Sequence, residues 1–158
     1  MRLFDDRLAS MQPTELAASD IYDLDWSRAD FRFACLEFLI GLLATACPPE
    51  DQEAWTEWWH HPPAPEVLQA AFAPFAAAFV LDGDGPRFCQ DAEDFPGESV
   101  PIERLLIDAP GENTVKRNTD LLVKRNRIAA LGRPAAAMEL CWNLGDAVIR
   151  RRSVLACW

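Results

Sequence analysis

The sequence predicts a mainly α fold with minor strands (α+β only in that limited sense), and three observations carry the prediction. Phe31 to Cys47 is apolar on nearly every helical face, later stretches repeat apolar residues at spacings of three and four, and prolines punctuate the boundaries between them. At 158 residues, half of them hydrophobic, the chain is long enough for one domain with a real core.

In chain order, MRLFDDRLAS places acids where a secretion signal needs an apolar stretch, so no signal is expected there. Ser27-Arg28-Ala29-Asp30 fits a capping box ahead of FRFACLEFLIGLLATAC, which Pro48-Pro49 stops. A helix apolar all round belongs inside, so Leu36, Phe38, Leu39, Leu42 and Leu43 are expected to be buried. Its uncharged run from Phe38 to Cys47 falls well short of the roughly 20 residues that span a bilayer, and no membrane role is expected. After the prolines, Glu50, Asp51 and Glu53 favour a helix N-terminus, and Trp55, Trp58 and Trp59 put their indoles on one side of that helix. Such a stripe is more often core than a stacking or partner surface. A third helix begins near Pro65 with Leu68, Phe72, Phe75 and Phe79 on one face. Pro74 lies inside it, and an interior proline costs about 3 kcal/mol, which predicts a kink or two shorter helices. Turn-rich sequence from Asp82 to Gly97, a short helical stretch near Ile102 to Leu106, a basic segment, and a last helix opening at Arg133-Pro134 complete the order.

Most constellations that would carry chemistry fail on spacing. His60 and His61 are the only histidines, and neighbours on a helix point about 100 degrees apart, so they fit a helix C-terminus better than a shared metal. Asp82-Gly83-Asp84-Gly85 begins like a calcium loop, but Pro86 and Arg87 stand where a ligand and the turn glycine are required, which leaves a plain turn. The five cysteines, 35, 47, 89, 141 and 157, include no Cys-x-x-Cys pair and are expected as reduced thiols of a cytosolic, cytoplasmic protein. With no Ser-His-Asp set, no Cys-His pairing and no phosphate-cradling glycine loop, neither an enzyme nor a cofactor or metal is expected.

Charge is the feature that points to a partner. The net charge is −10, yet residues 1–112 hold 6 basic and 22 acidic side chains while residues 113–158 hold 9 and 3. Within GENTVKRNTDLLVKRNRIAALGR, residues 111–133, six cations accompany two acids and VKRN occurs twice. One reading is a solvated charged face, the usual fate of a charge cluster. The other is a phosphate-contacting loop in which Lys116, Arg117, Lys124, Arg125, Arg127 and Arg133 supply charge, and Asn113, Asn118 and Asn126 supply neutral hydrogen bonds. No aromatic lies between residues 111 and 133, so contacts to phosphate and sugar are expected rather than base stacking. The segment is expected to be an exposed, poorly ordered loop in isolation.

Several blocks in order carry a resemblance: DLDWSRADFRFACLEFLIGLLATACPPED, AFAPFAAAFVLDGDGPRFCQD, LLIDAPGENTVKRNTDLLVKR and RPAAAMEL. Together, over about Asp20 to Leu140, they resemble the N-terminal helical region of CasA, the large subunit of the type I-E CRISPR surveillance complex Cascade. The resemblance implies a non-catalytic subunit of antiviral defence that recognises the protospacer-adjacent motif, helps open target double-stranded DNA and recruits the helicase–nuclease. It also implies contact with the other Cascade subunits and with the CRISPR guide RNA. The family's basic loop, a mobile element that docks near the guide RNA 5′ end, maps onto Asn113 to Arg127. The nucleic-acid-binding residues it implies are Asn113, Lys116, Arg117, Asn118, Lys124, Arg125 and Arg127.

Departures from the family pattern bound that expectation. Leu122 stands where many relatives carry an aromatic, and Ala129-Ala130-Leu131-Gly132 stands where some carry a Cys-x-x-Cys, so neither base stacking nor zinc is implied. The opening keeps only Leu3-Phe4-Asp5 of the family's first strand. After Leu140 the glycine-rich loop, strand-parting wedge and C-terminal bundle are not represented. The expected organisation is a CasA-like domain over 1–140 with a divergent tail over 141–158, a fragment of about the first quarter of the usual subunit from a truncated or frame-shifted frame. The alternative is a degenerate helical interaction protein with no nucleic-acid role.

Overall fold

The all-round apolar run forms α1, Ala29–Ala46, and stops at Cys47, one residue before the two prolines. In the computed structural model, which describes residues 2–3, 8–18, 20–85, 87–90, 101–121, 125 and 127–150, the chain divides into two compact units, Met1–Val80 and Leu81–Trp158.

The first unit is built on α1. Ahead of it, strands β1 (Arg2–Leu3) and β2 (Ile21–Asp23) pair antiparallel, and a 3-10 turn at Pro13–Glu15 is closed by the Glu15 carboxylate accepting the Gln12 N–H at 2.8 Å. After it, α2 (Gln52–His60) starts where the Asp51 carboxylate accepts the Ala54 N–H at 2.8 Å, satisfying an orphan donor of the first turn. The third predicted helix divides as its internal proline requires. α3 spans Pro65–Phe72 and passes into a 3-10 segment, Ala73–Phe79, because Pro74 brings no N–H to an α ladder. Leu42, Leu68 and Phe72 form the core, with Ala17, Phe38, Leu43, Ala46, Cys47 and Ala71 packed against them. Phe38 and Phe79 meet edge to face at 5.9 Å.

Three expectations are corrected here. Ser27 does not cap α1: the cap residue is Arg28 in an extended conformation, with no side-chain cap hydrogen bond. Asp30 instead accepts the Arg28 guanidinium at 2.8 and 3.1 Å, and that cation also lies 5.3 Å from the centre of the Phe31 ring. Leu36 is not buried but 45% exposed, and Phe33 and Ile40 on the same side are exposed too, because the rest of the unit covers only the Phe31, Ala34, Leu39 and Leu42 side of a helix that is apolar everywhere. Phe38 and Leu43 are half-buried. Lastly, the indole stripe is not a core face, since Trp55 is 55% and Trp59 75% exposed while Trp58 is half-buried.

In the second unit a 3-10 turn at Ile102–Leu105 packs against α5, Arg133–Arg150, the helix predicted to open at Arg133-Pro134. Asn143 ties them, donating to the Leu105 carbonyl at 3.2 Å and to its own helix at Glu139 O at 2.8 Å. Phe88, Leu106 and Met138 are buried. The Cys89 and Cys141 sulfurs lie 3.5 Å apart, and the hydrogen bond between them holds the Cys89 thiol below its usual range against the opposing effect of burial. Gly83 and Gly85 take positive φ, 125° and 99°, which fits the turn read at Asp82–Gly85; Asp82 is ion-paired with Arg133. Between these pieces lies α4, Glu112–Arg117. No helix among the described residues is long and apolar enough to cross a membrane.

Two outcomes test this packing. Leu42 is 1% exposed, so Leu42→Ala should cost about 2–5 kcal/mol in chemical denaturation, whereas Leu36→Ala should change stability by less than about 0.5 kcal/mol; equal losses would refute the assignment of the two faces. Asp30 tests the cap. Burial pushes its carboxyl up, but the Arg28 hydrogen bonds and charge outweigh burial and leave it below the usual carboxylate value. A depressed folded value gives stability that is present above about pH 4 and lost as pH falls through that lowered value. Asp30→Asn should therefore cost about 1–3 kcal/mol at neutral pH and nothing at strongly acid pH. A pH-independent difference in unfolding curves would show that the charge is not the cause.

Candidate nucleic-acid interface

The basic segment is partly helical, which corrects the expectation of an irregular loop. Gly111 precedes α4 in an extended conformation, and Glu112 stands in its first turn, where a negative charge favours the helix N-terminus. Its carboxylate meets the Lys116 ammonium at 2.6 Å, one turn later, in the favourable acid-then-base order. Asn118 ends the helix in the left-handed conformation at φ 51°, a place where asparagine substitutes for glycine. Its N–H reaches the Val115 carbonyl at 3.2 Å and the Thr119 N–H reaches Thr114 O at 3.1 Å, closing the end of the helix.

Beyond α4, Arg125 meets residues at the end of that helix. Asp120, whose side chain is 4% exposed, receives Nε and Nη2 of Arg125 in a two-pronged ion pair. The same guanidinium donates to the Asn118 Oδ1 at 3.3 Å and the Val115 carbonyl at 3.4 Å. Hydrogen bonding from Arg125 holds the Asp120 carboxyl below its usual range, and Lys116 does the same for Glu112. The Arg127 backbone N–H donates to the Glu103 carboxylate at 3.1 Å.

These contacts sort the expected site residues. Asn118 and Arg125 are brought together around Asp120 and act on the segment's own shape. Lys116 and Arg117 share the last turn of α4, both exposed, with Lys116 held only by a solvent-exposed pair of the kind worth little. Asn113 and Arg127 are exposed. Lys124, and with it Asn126, falls outside the described residues. Two acids were missed as partners. The Glu112 to Lys116 spacing of four could have disclosed one pair; the spacing of five from Asp120 to Arg125 matches no helical pairing and gave no signal. Among the described residues no group of three His, Cys, Asp or Glu is placed to hold a metal ion.

Comparison with known proteins finds one family. The model of CRISPR-associated protein Cse1 matches residues 2–144, which takes in the core of the first unit, α4, the Asp120–Arg125 pair and much of α5. No curated protein and no solved structure matches the chain.

The ion pair at Asp120 makes a testable difference. In Asp120→Asn, amide exchange at Asn118 and Thr119 should accelerate by about tenfold or more while the thermal midpoint of the whole chain stays nearly unchanged. Unaltered protection there would mean that the pair does not order the turn.

Proposed function

The chain belongs to the CRISPR-associated protein Cse1 family, and on that premise we propose that it acts in the cytoplasm as a non-catalytic component of a type I-E Cascade complex. In this reading the basic segment contacts phosphates of the guide RNA and of target double-stranded DNA. The other Cascade subunits and the recruited helicase–nuclease are the protein partners, and the chain contributes to recognition of the protospacer-adjacent motif only within the assembled complex.

The observation that supports this reading, beyond the family match, is the division of labour among the cations. Arg125 is used internally to shape the turn, while Lys116 and Arg117 project from the adjoining helix into solvent with Arg127 exposed further on. A site built in this way offers exposed charge and, over residues 111–133, no aromatic ring on which a base could stack, which suits backbone contacts that position a nucleic acid. The ion pairs of Lys116 and Arg125 favour a second reading, a helical interaction protein whose cations simply neutralise neighbouring acids.

Salt dependence separates the two. Lys116, Arg117, Lys124 and Arg127 would neutralise about four phosphates, giving a log–log slope near −3 to −4 for duplex binding. Changing all four to alanine should flatten that slope toward zero without unfolding the chain, and Arg125→Ala should weaken binding through the turn while leaving most of the slope. The measurement is a titration of labelled guide-RNA 5′ handle and of motif-bearing duplex at low and moderate salt. Equal binding by wild type and the fourfold variant would leave the second reading standing.

A further inference from the structure

In the first unit, Trp55, Trp58 and Trp59 of α2, with Pro62, Pro63 and Leu68, line an apolar cleft of about 200 Å³. We propose that this cleft is a docking site for a cationic amphipathic segment of a partner protein, which would seat an apolar side chain in the cleft and set lysine or arginine beside it. The site is separate in sequence from the basic segment and does not depend on the nucleic-acid reading.

Three observations support the assignment. Tryptophan is among the most costly side chains to leave in water, yet Trp55 and Trp59 are 55% and 75% exposed, one helical turn apart, beside a fully buried Leu68 that anchors the wall. Exposed aromatics around a pocket are the usual centre of protein interfaces. The volume is below the roughly 300–1,000 Å³ of cofactor and small-molecule pockets, so it suits the side-chain anchor of a polypeptide better than a free ligand.

Charge decides the partner's chemistry. From Arg32 to Arg87 the chain contains no lysine or arginine between those two residues, and Glu50, Asp51, Glu53, Glu57 and Glu66 are all exposed on or beside the helices that form the cleft. An indole stripe on a basic surface would be a stacking platform for nucleic acid; on this acidic one phosphates are repelled, and so is an anionic membrane leaflet. A cationic segment is attracted both by the carboxylates and by the indole faces.

The experiment is fluorescence anisotropy of the full chain with a labelled peptide of Leu-Lys repeats, and with Leu-Glu and Ser-Lys repeats as controls. Wild type should bind the Leu-Lys peptide and neither control. Trp55→Ala with Trp59→Ala should weaken binding at least about tenfold with an unchanged circular dichroism spectrum, since neither ring is in the core. Glu53→Gln with Glu57→Gln should weaken binding and reduce its salt dependence. Undiminished binding by the tryptophan variant, or equal binding of the Leu-Glu or Ser-Lys peptide, would overturn the proposal. So would absence of Leu-Lys binding; where that absence comes with a concentration-dependent dimer abolished by the tryptophan variant, a second copy is the occupant instead.

Discussion

The first unit depends on one constraint: α1 carries more apolar surface than its neighbours can cover. Leu42 meets Leu68 and Phe72, the 3-10 turn at Pro13–Glu15 packs on α3, and the stripe Phe31, Ala34, Leu39, Leu42 is sealed. Fixing α1 and α3 against each other also sets α2, because the link between α1 and α2 is the short, proline-stiffened Cys47 to Asp51. The cost of this economy is visible on the opposite side, where Phe33, Leu36 and Ile40 remain in water. A helix with no polar face can choose either side to bury, and the choice is made by what else the unit possesses.

Electrostatics organises the second unit differently. Its cations and acids pair over short and long separations: Glu112 with Lys116, Asp120 with Arg125, Asp82 with Arg133. Of these, the pair at Asp120 stands apart because the carboxylate is nearly inaccessible and the guanidinium is also bound to a carbonyl and an amide oxygen. Removing Arg125 would leave the Asp120 carboxylate without its ion-pair partner, whereas Arg125 keeps two oxygen acceptors and access to water when Asp120 is removed. The remaining pairs lie in solvent, where water and salt compete effectively. A charge cluster counted from sequence thus resolves into one cation that builds structure and several that are available to something else.

Helix positions were legible because their signals are local. Pro48-Pro49, Asp51, Pro65, Pro74 and Arg133-Pro134 each mark a boundary that the structure places within a few residues of the expectation. What failed to show was set by distance or by competition. β1 pairs with β2 across an intervening stretch, with only Arg2 and Leu3 on one side, too short for an alternating pattern to register. Ser27 looked like a cap, but a guanidinium one residue later took the carboxylate that a capping box would have used. For α4, six residues opened by Pro110-Gly111 and closed by an asparagine carry too little periodicity to stand out among repelling cations. The tryptophan stripe was legible as a face, while its exposure was not, because the spacing of three and four is the same for a ring that packs inward and one that waits for a partner.

The two surfaces left over differ in kind, and that difference bears on the proposed role. Residues 33–86, which supply most of the cleft's wall, have acids and no lysine or arginine, and bring indoles and proline rings to it. Residues 113–133 have cations and asparagines and no aromatic ring. An apolar, acidic site gains most from a protein segment that brings hydrocarbon and positive charge; a basic, ring-free site gains most from a polyanion whose charges are regularly spaced. Neither would compete for the other's ligand, since a phosphate backbone is repelled at the first and a cationic peptide at the second. Under the proposed role, in which the chain joins other polypeptides and touches nucleic acid, that opposition of charge would keep the two kinds of contact apart by simple repulsion, with no need for shape to exclude the wrong partner.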